Sequence, residues 1–252
     1  MISLLTSAGY LSGIEVSDVS STNAIMYIDE GGPFVFSNSD ISNSGSIIND
    51  PVYIYRSAVK EISNVTMRNI AQTPLHFKTS TVQLVDNLHI QNCTEYVLIE
   101  RSMISSMQNS SFTQMGGESI KNGGSLYLVR SNMTISNSNF TENTAIDGGA
   151  IYFSCLGIRK CNLDITDSHF KSNKAVLSGG AIKYNVYRPT MQNNIFENNT
   201  AAYGPNIGSY AIKIRKKNSE IEQISLDNIG SGVENTVNIG KSPVIIFRNG
   251  PL

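Results

Sequence analysis

The 252-residue sequence has no tryptophan, three cysteines and three histidines, and only 15% of its residues are charged. Each shortage excludes something. A formal net charge of -1 offers no basic excess, so nucleic acid is not an expected partner, because phosphate binding requires one. No apolar run reaches the roughly 18 residues of a membrane-spanning helix. No stretch of ten or more residues carries apolar positions at i, i+3, i+4 and i+7, which excludes a helical solenoid. No nucleophile elbow, phosphate loop or dinucleotide fingerprint occurs, and no cofactor is expected. Three cysteines are too few for a disulfide framework. Cys155 and Cys161 flank the short segment CLGIRKC and either close a local disulfide or stay as thiols, with Cys93 left over. A zinc site would need more ligands near that loop than His169. The N-terminal MISLLTSAGYLSG lacks the basic region and long apolar core of a signal peptide. The expectation is a segment of a larger secreted or surface-exposed protein, whose flanking parts are its first partners.

What the sequence has in abundance is Asn, Ser and Ile, with 20 glycines against seven prolines, a composition for short strands and many turns. It also repeats. NSSFTQM, NSNFTEN, DSHFKSN and NNIFENN align on Phe112, Phe140, Phe170 and Phe196. Earlier segments fit the same frame and extend the anchors to Val19, Ile41, Met67 and Ile90, in steps of 22 to 30 residues. Two further columns follow. Five residues before each anchor lies an apolar residue: Ile14, Phe36, Ile62, Val85, Met107, Ile135, Ile165 and Met191. Three residues before it lies a short amide or acid: Asn38, Asn64, Asn87, Asn109, Asn137, Asp167 and Asn193, with Val16 the exception in the first unit.

Apolar residues five apart cannot share a face of one straight strand, because side chains alternate with period two. Both point inward if the chain turns between them. Asn suits that turn, since it tolerates left-handed backbone. Stacked turns then form an amide ladder along the axis. After the later anchors come Asn143 and Ala145, Asn173 and Ala175, and Asn199 and Ala201, followed by glycine-led strands. Gly148-Gly149 opens GGAIYF, Gly179-Gly180 opens GGAIKY, and GPNIGSYAIKI and NGGSLYLV are their counterparts. Alternation in these strands points Leu126/Leu128, Ile151/Phe153, Ile182/Tyr184 and Ile212/Ile214 inward, with Leu75/Phe77 as an earlier pair. The fold class expected is all-β: a right-handed parallel β-helix of about eight three-strand coils with an Asn ladder. Eight coils at the inter-strand spacing make a rod of about 35 Å. Residues 1–214 form the repeats. Residues 215–252, starting with the charged RKKNSEIE, form a divergent last coil or the start of a following β-domain.

The pairing of Phe-x-x-Asn with Gly-Gly-Ala-Ile resembles the repeats of chlamydial polymorphic membrane proteins. Phe140–Asn143 with Gly148–Ile151, and Phe170–Asn173 with Gly179–Ile182, match in full. Phe196–Asn199 keeps the first half, while Gly204-Pro205-Asn206-Ile207 departs from the second, and Phe112 with Gln114-Met115 departs as well. Large ciliate surface proteins are similar too. The resemblance covers residues 109–214 most strongly. It implies a parallel β-helix and, in the bacterial family, an adhesin passenger, so cell-surface ligands and other protein subunits are candidate partners.

Two function classes follow. One is a non-enzymatic structural or adhesive scaffold, including a subunit of a larger assembly whose partners cover the open coil ends. The other is a polysaccharide lyase or glycoside hydrolase, which needs clustered carboxylates to hold calcium or act as acid and base. Glu142, Asp147, Asp164 and Asp167 are the candidates. Asp167 sits in the ladder column and Asp147 abuts a Gly-Gly corner, both structural positions. His76, His89 and His169 are expected to be solvent-exposed, with His89 and His169 in one column on different coils. Six Asn-x-Ser/Thr sequons occur, at Asn64, Asn92, Asn109, Asn132, Asn139 and Asn198. Asn64 and Asn109 belong to the ladder and should be unmodified. Asn92, Asn139 and Asn198 lie outside it and are the candidate glycan sites.

Overall fold

The computed structural model describes residues 2–5, 8–48, 50–157 and 161–209, and one short antiparallel pair, Ile224–Ser225 with Thr236–Val237. The rest of the 215–252 segment, Ile212 and Ile214 lie outside the described residues. The chain is an all-β right-handed parallel solenoid of about eight turns. One sheet has nine parallel strands, one per coil: Ile2–Leu5, Met26–Asp29, Val52–Tyr55, Leu75–Lys78, Val97–Glu100, Leu126–Val129, Ile151–Ser154, Ile182–Asn185 and Ile207–Ser209. A second sheet of thirteen strands carries the anchors. Its long members, such as Ala58–Arg68 and Thr81–Gln91, run through the Asn turn unbroken. Later coils split there, as in Met103–Gln108 and Ser111–Thr113. Thr144–Asp147 pairs with Lys174–Ser178 on a third side.

The interior is one apolar column. Phe112, Phe140, Phe170 and Phe196 stack with centroids 5.1, 4.7 and 5.1 Å apart and nearly parallel rings. Ile41, Met67 and Ile90 continue the same register. The column five residues earlier pairs Phe36, Ile62, Val85, Met107, Ile135, Ile165 and Met191 in turn. Burying Phe112, Phe140 and Phe170 contributes roughly 1.5–3 kcal/mol each, while Phe196 is half-buried.

The first coil sits three residues away from its expected frame. Val16, not Val19, pairs with Ile41, and Leu11, not Ile14, pairs with Phe36. Gly13, at φ 68°, then fills the turn position, so the apparent exception at Val16 disappears. At the other end Ile207 and Ser209 hold the places opposite Ile182 and Tyr184. The glycine-led segment there turns into strand sooner than its alternation suggests.

The turn column Asn38, Asn64, Asn87, Asn109, Asn137, Asp167 and Asn193 has φ from 46° to 55°. Its ladder is on the outer surface and is interrupted. Asn64 donates to Asn38 and Asn87 to Asn64, but Asn109 donates to Asp86, because His89 Nε2 lies 2.7 Å from the Asn87 oxygen. Asn137 donates to Asn109 and Asn193 to Asp167. A second left-handed column follows each anchor by two residues: Asn43, Asn69, Asn92, Gln114, Glu142, Ser172 and Asn198. Asn92 and Asn198 are therefore turn residues themselves. Asn92 donates to Asn69 at 2.8 Å, so it belongs to a second ladder beside the first.

Behind these turns run buried polar columns that the repeat frame did not assign. A left-handed residue bends the strand, and the next N–H no longer faces a carbonyl on the neighbouring coil. A side chain of that coil accepts it instead. Ser110 N–H donates to Ser138 Oγ and Ser138 N–H to Ser168 Oγ, both at 3.2 Å. Ser57, Ser80 and Ser102 do the same toward Ser80, Ser102 and Ser131 behind the turns at Arg56, Thr79 and Arg101. Asn143 and Asn173 N–H donate to Asn173 and Asn199 Oδ1 in the third such column. Each orphaned buried N–H would cost about 1–3 kcal/mol, so the three columns hold the corners together. At the Gly-Gly corners Gly148 takes φ +68°, and a Cβ on Gly149 would lie 2.1 Å from the Gly180 carbonyl oxygen. The coils approach too closely there for any side chain.

Candidate binding face

Period-two alternation puts Val52, Ile54, Leu75, Phe77, Leu126 and Leu128 inside and their neighbours outside. On the outer face of the nine-stranded sheet those neighbours form a register column: Tyr27, Tyr53, His76, Leu98, Tyr127, Tyr152 and Lys183. Tyr27 and Tyr53 have centroids 5.5 Å apart, Tyr53 and the His76 ring 4.8 Å, and Tyr127 and Tyr152 5.4 Å. Tyr96 sits edge-on to Tyr127 at 5.3 Å, and Tyr55 stacks beside Tyr53. Burial pushes the phenols up, Tyr53 and Tyr96 to about 12. Neighbouring Tyr27 and Tyr55 add to the first shift and Glu95 to the second.

Charged groups flank the rings. Arg56 holds Asp29 through two nitrogens and Glu30 at 2.8 Å, and lies over the Tyr55 ring. Lys78 lies 3.4 Å from Glu100. His76 is 7% exposed, contrary to the expectation of an exposed histidine, because Tyr53 and Leu98 flank it in the column. Its Nδ1 is 2.6 Å from Asp50 Oδ2. A carboxylate only accepts, so Nδ1 carries that proton. Nε2 has no hydrogen-bond partner and lies 4.0 Å from Glu100 Oε2. Glu95 accepts from the Thr73 hydroxyl at 2.8 Å.

The same column changes character toward the C-terminal coils. Lys183 is 1% exposed. Its ammonium donates to Ser178 Oγ at 2.7 Å, and that hydroxyl donates to Asp147 at 2.6 Å. Burial lowers the Lys183 ammonium to about 8, opposed by the Asp147 carboxylate.

The four candidate catalytic carboxylates stand in different columns. Asp147 is in this buried network, and Glu142 accepts from Gln114 on the outer surface. Asp164 lies between Thr134 and Thr190 in the thirteen-stranded sheet, and Asp167 accepts from Asn193. Among the described residues no three His, Cys, Asp or Glu are grouped to hold a metal ion. His89 and His169 share a column with Ser111 and Asn139 between them and are half-buried. His89 bonds Ser111 and Asn87, and His169 lies 3.2 Å from Glu197. Cys155 and Cys161 form a disulfide, with Cα atoms 6.0 Å apart. Cys93 is buried, and burial raises its thiol to about 11. Asn139 is exposed in the strand Asn139–Thr141.

The aromatic face escaped the repeat analysis because its residues are the outward partners of the inward pairs. Tyr27, Tyr53, Tyr127 and Tyr152 are each one residue from an apolar position, a signal visible once strands are aligned.

Stacked parallel coils with polar corner columns define a β-solenoid. The family described as the right-handed beta helix region matches residues 12–221, and the chain belongs to it. Comparison with curated proteins and with solved structures found no match.

Proposed function

We propose that the chain is a non-enzymatic scaffold, a structural or adhesive β-helix segment of a larger secreted or cell-surface protein, that presents its nine-stranded sheet as a binding face. The observation that carries this reading is the outward aromatic column, which spans successive coils, while the carboxylates needed for polysaccharide cleavage are dispersed over different columns, with Glu142, Asp147 and Asp167 each bonded to another side chain. Aromatic side chains supply large contact area at low entropic cost. The Cys155–Cys161 disulfide supports an oxidising compartment, and the likeness of the 109–214 repeats to chlamydial adhesins agrees. The test compares adhesion of the chain to cell surfaces with that of a Tyr53→Ala, Tyr127→Ala variant, alongside a screen of acidic polysaccharides with and without calcium. Loss of adhesion in the variant with no turnover is expected. Turnover abolished by Asp147→Asn or Asp164→Asn would establish the lyase or hydrolase reading instead.

A further inference from the structure

We propose that the face around His76 docks a basic segment of a partner protein, its lysine or arginine side chains lying across Tyr53, Tyr96 and Tyr127 among Asp50, Glu95 and Glu100. This names the partner class for the binding face and rests on that reading.

Three independent features point to a cationic hydrogen-bond donor. The first is charge. Asp50 is bonded to His76 and Glu95 to the Thr73 hydroxyl, and among the described residues no lysine or arginine pairs with either. Both carboxylates act on the Tyr96 phenol, so they gather at one place on the face.

The second is the buried imidazole. Asp50 fixes the proton on Nδ1, and in the neutral ring Nε2 presents a lone pair without a donor. Glu100 Oε2, also an acceptor, stands 4.0 Å away and is shared with Lys78 at 3.4 Å, with Arg101 near the other oxygen. An unmet acceptor in a nine-tenths-buried side chain is costly, and its needs match an ammonium or guanidinium, not an anion.

The third is the aromatic surround. Burial raises the Tyr53, Tyr96 and Tyr127 phenols, the first two to about 12, so the rings stay neutral. Their rings offer negative π faces, and a cation over such a face gains about 0.5–2 kcal/mol, more as water is excluded. Arg56 over the Tyr55 ring, 4.5 Å from its centroid, shows the same contact within the chain itself, two coils from Glu100. An acidic polysaccharide would meet Asp50 and Glu95 as like charges.

The test titrates the full chain with fluorescein-labelled hexalysine, read by anisotropy. Binding at least tenfold tighter than that of Nε-acetylated hexalysine is expected, weakening with added salt. Glu95→Gln with Glu100→Gln should weaken it at least tenfold. Glu142→Gln with Glu197→Gln, which removes as much charge away from the face, should leave it unchanged. Circular dichroism and the unfolding midpoint verify that all variants fold. Equal binding to both double variants, equal binding of the acetylated peptide, or displacement by a neutral oligosaccharide would overturn the proposal. If hexalysine fails while adhesion still depends on Tyr53 and Tyr127, the basic partner is wrong and the scaffold reading stands.

Discussion

The outer face of one sheet carries two different solutions to the same position. In the coils of Tyr27, Tyr53 and Leu98, the outward column is half-exposed and built from rings and carboxylates. Two strands beyond Tyr127 the same position holds Lys183, almost fully buried and tied through Ser178 toward Asp147. The backbone register is unchanged between them. What differs is the chain before the strand. The Gly179-Gly180 corner folds Ser178 back over the column, whereas no Gly-Gly pair leads into the strands of Tyr27, Tyr53 and Leu98. A solenoid can thus hold geometry constant and vary exposure coil by coil, keeping structural polar groups at one end and a solvent-facing surface at the other.

That contrast can be broken most severely at Asp147. Asp147→Ala removes the carboxylate that compensates a buried ammonium and is expected to cost about 3–5 kcal/mol, measured by urea unfolding. Tyr53→Ala on the open half should stay within about 1 kcal/mol, and similar losses at both sites would erase the distinction. Asn173→Ala, whose Oδ1 serves two Asn143 donors, should cost roughly 2–3 kcal/mol. Asn64→Ala in the surface ladder loses two exposed bonds and the left-handed tolerance of Asn, about 1 kcal/mol.

Lys183 predicts a pH signature of about 3 kcal/mol. Its folded value, about 8, lies below the ordinary 10.5. Below pH 8 both states hold the proton and the burial penalty is present in full. Between pH 8 and 10.5 only the unfolded chain keeps it, so stability rises with pH. Cys93, raised from 9.0 to about 11, acts in the opposite direction above pH 9. The measurement is therefore wild type minus Lys183→Met across pH 7–10.5. A flat difference would mean that Lys183 is solvated.

Much of the fold was legible because its determinants are periodic: Phe anchors, the apolar column before them and the Asn turns all recur at nearly fixed spacing. The first coil escaped because Val19, like Val16, is apolar, and one strand pair cannot choose between them without the partner strand. The serine columns escaped because Ser is common, and its role at a corner depends on the N–H of a neighbouring coil. His76 escaped for a related reason. Its burial comes from Tyr53 and Asp50, 23 and 26 residues earlier, a pairing that sequence alone does not display.

The corner columns also give the rod a direction. In each serine column the N–H of one coil donates to the side chain of the next, never the reverse. The backbone N–H just past each serine donates back to the serine carbonyl of the preceding coil, as Met103 to Ser80 and His169 to Ser138, so the two directions use different groups. Two such rods that continue each other's pairing must meet head to tail, so any joined array grows as a polar filament with unlike tips.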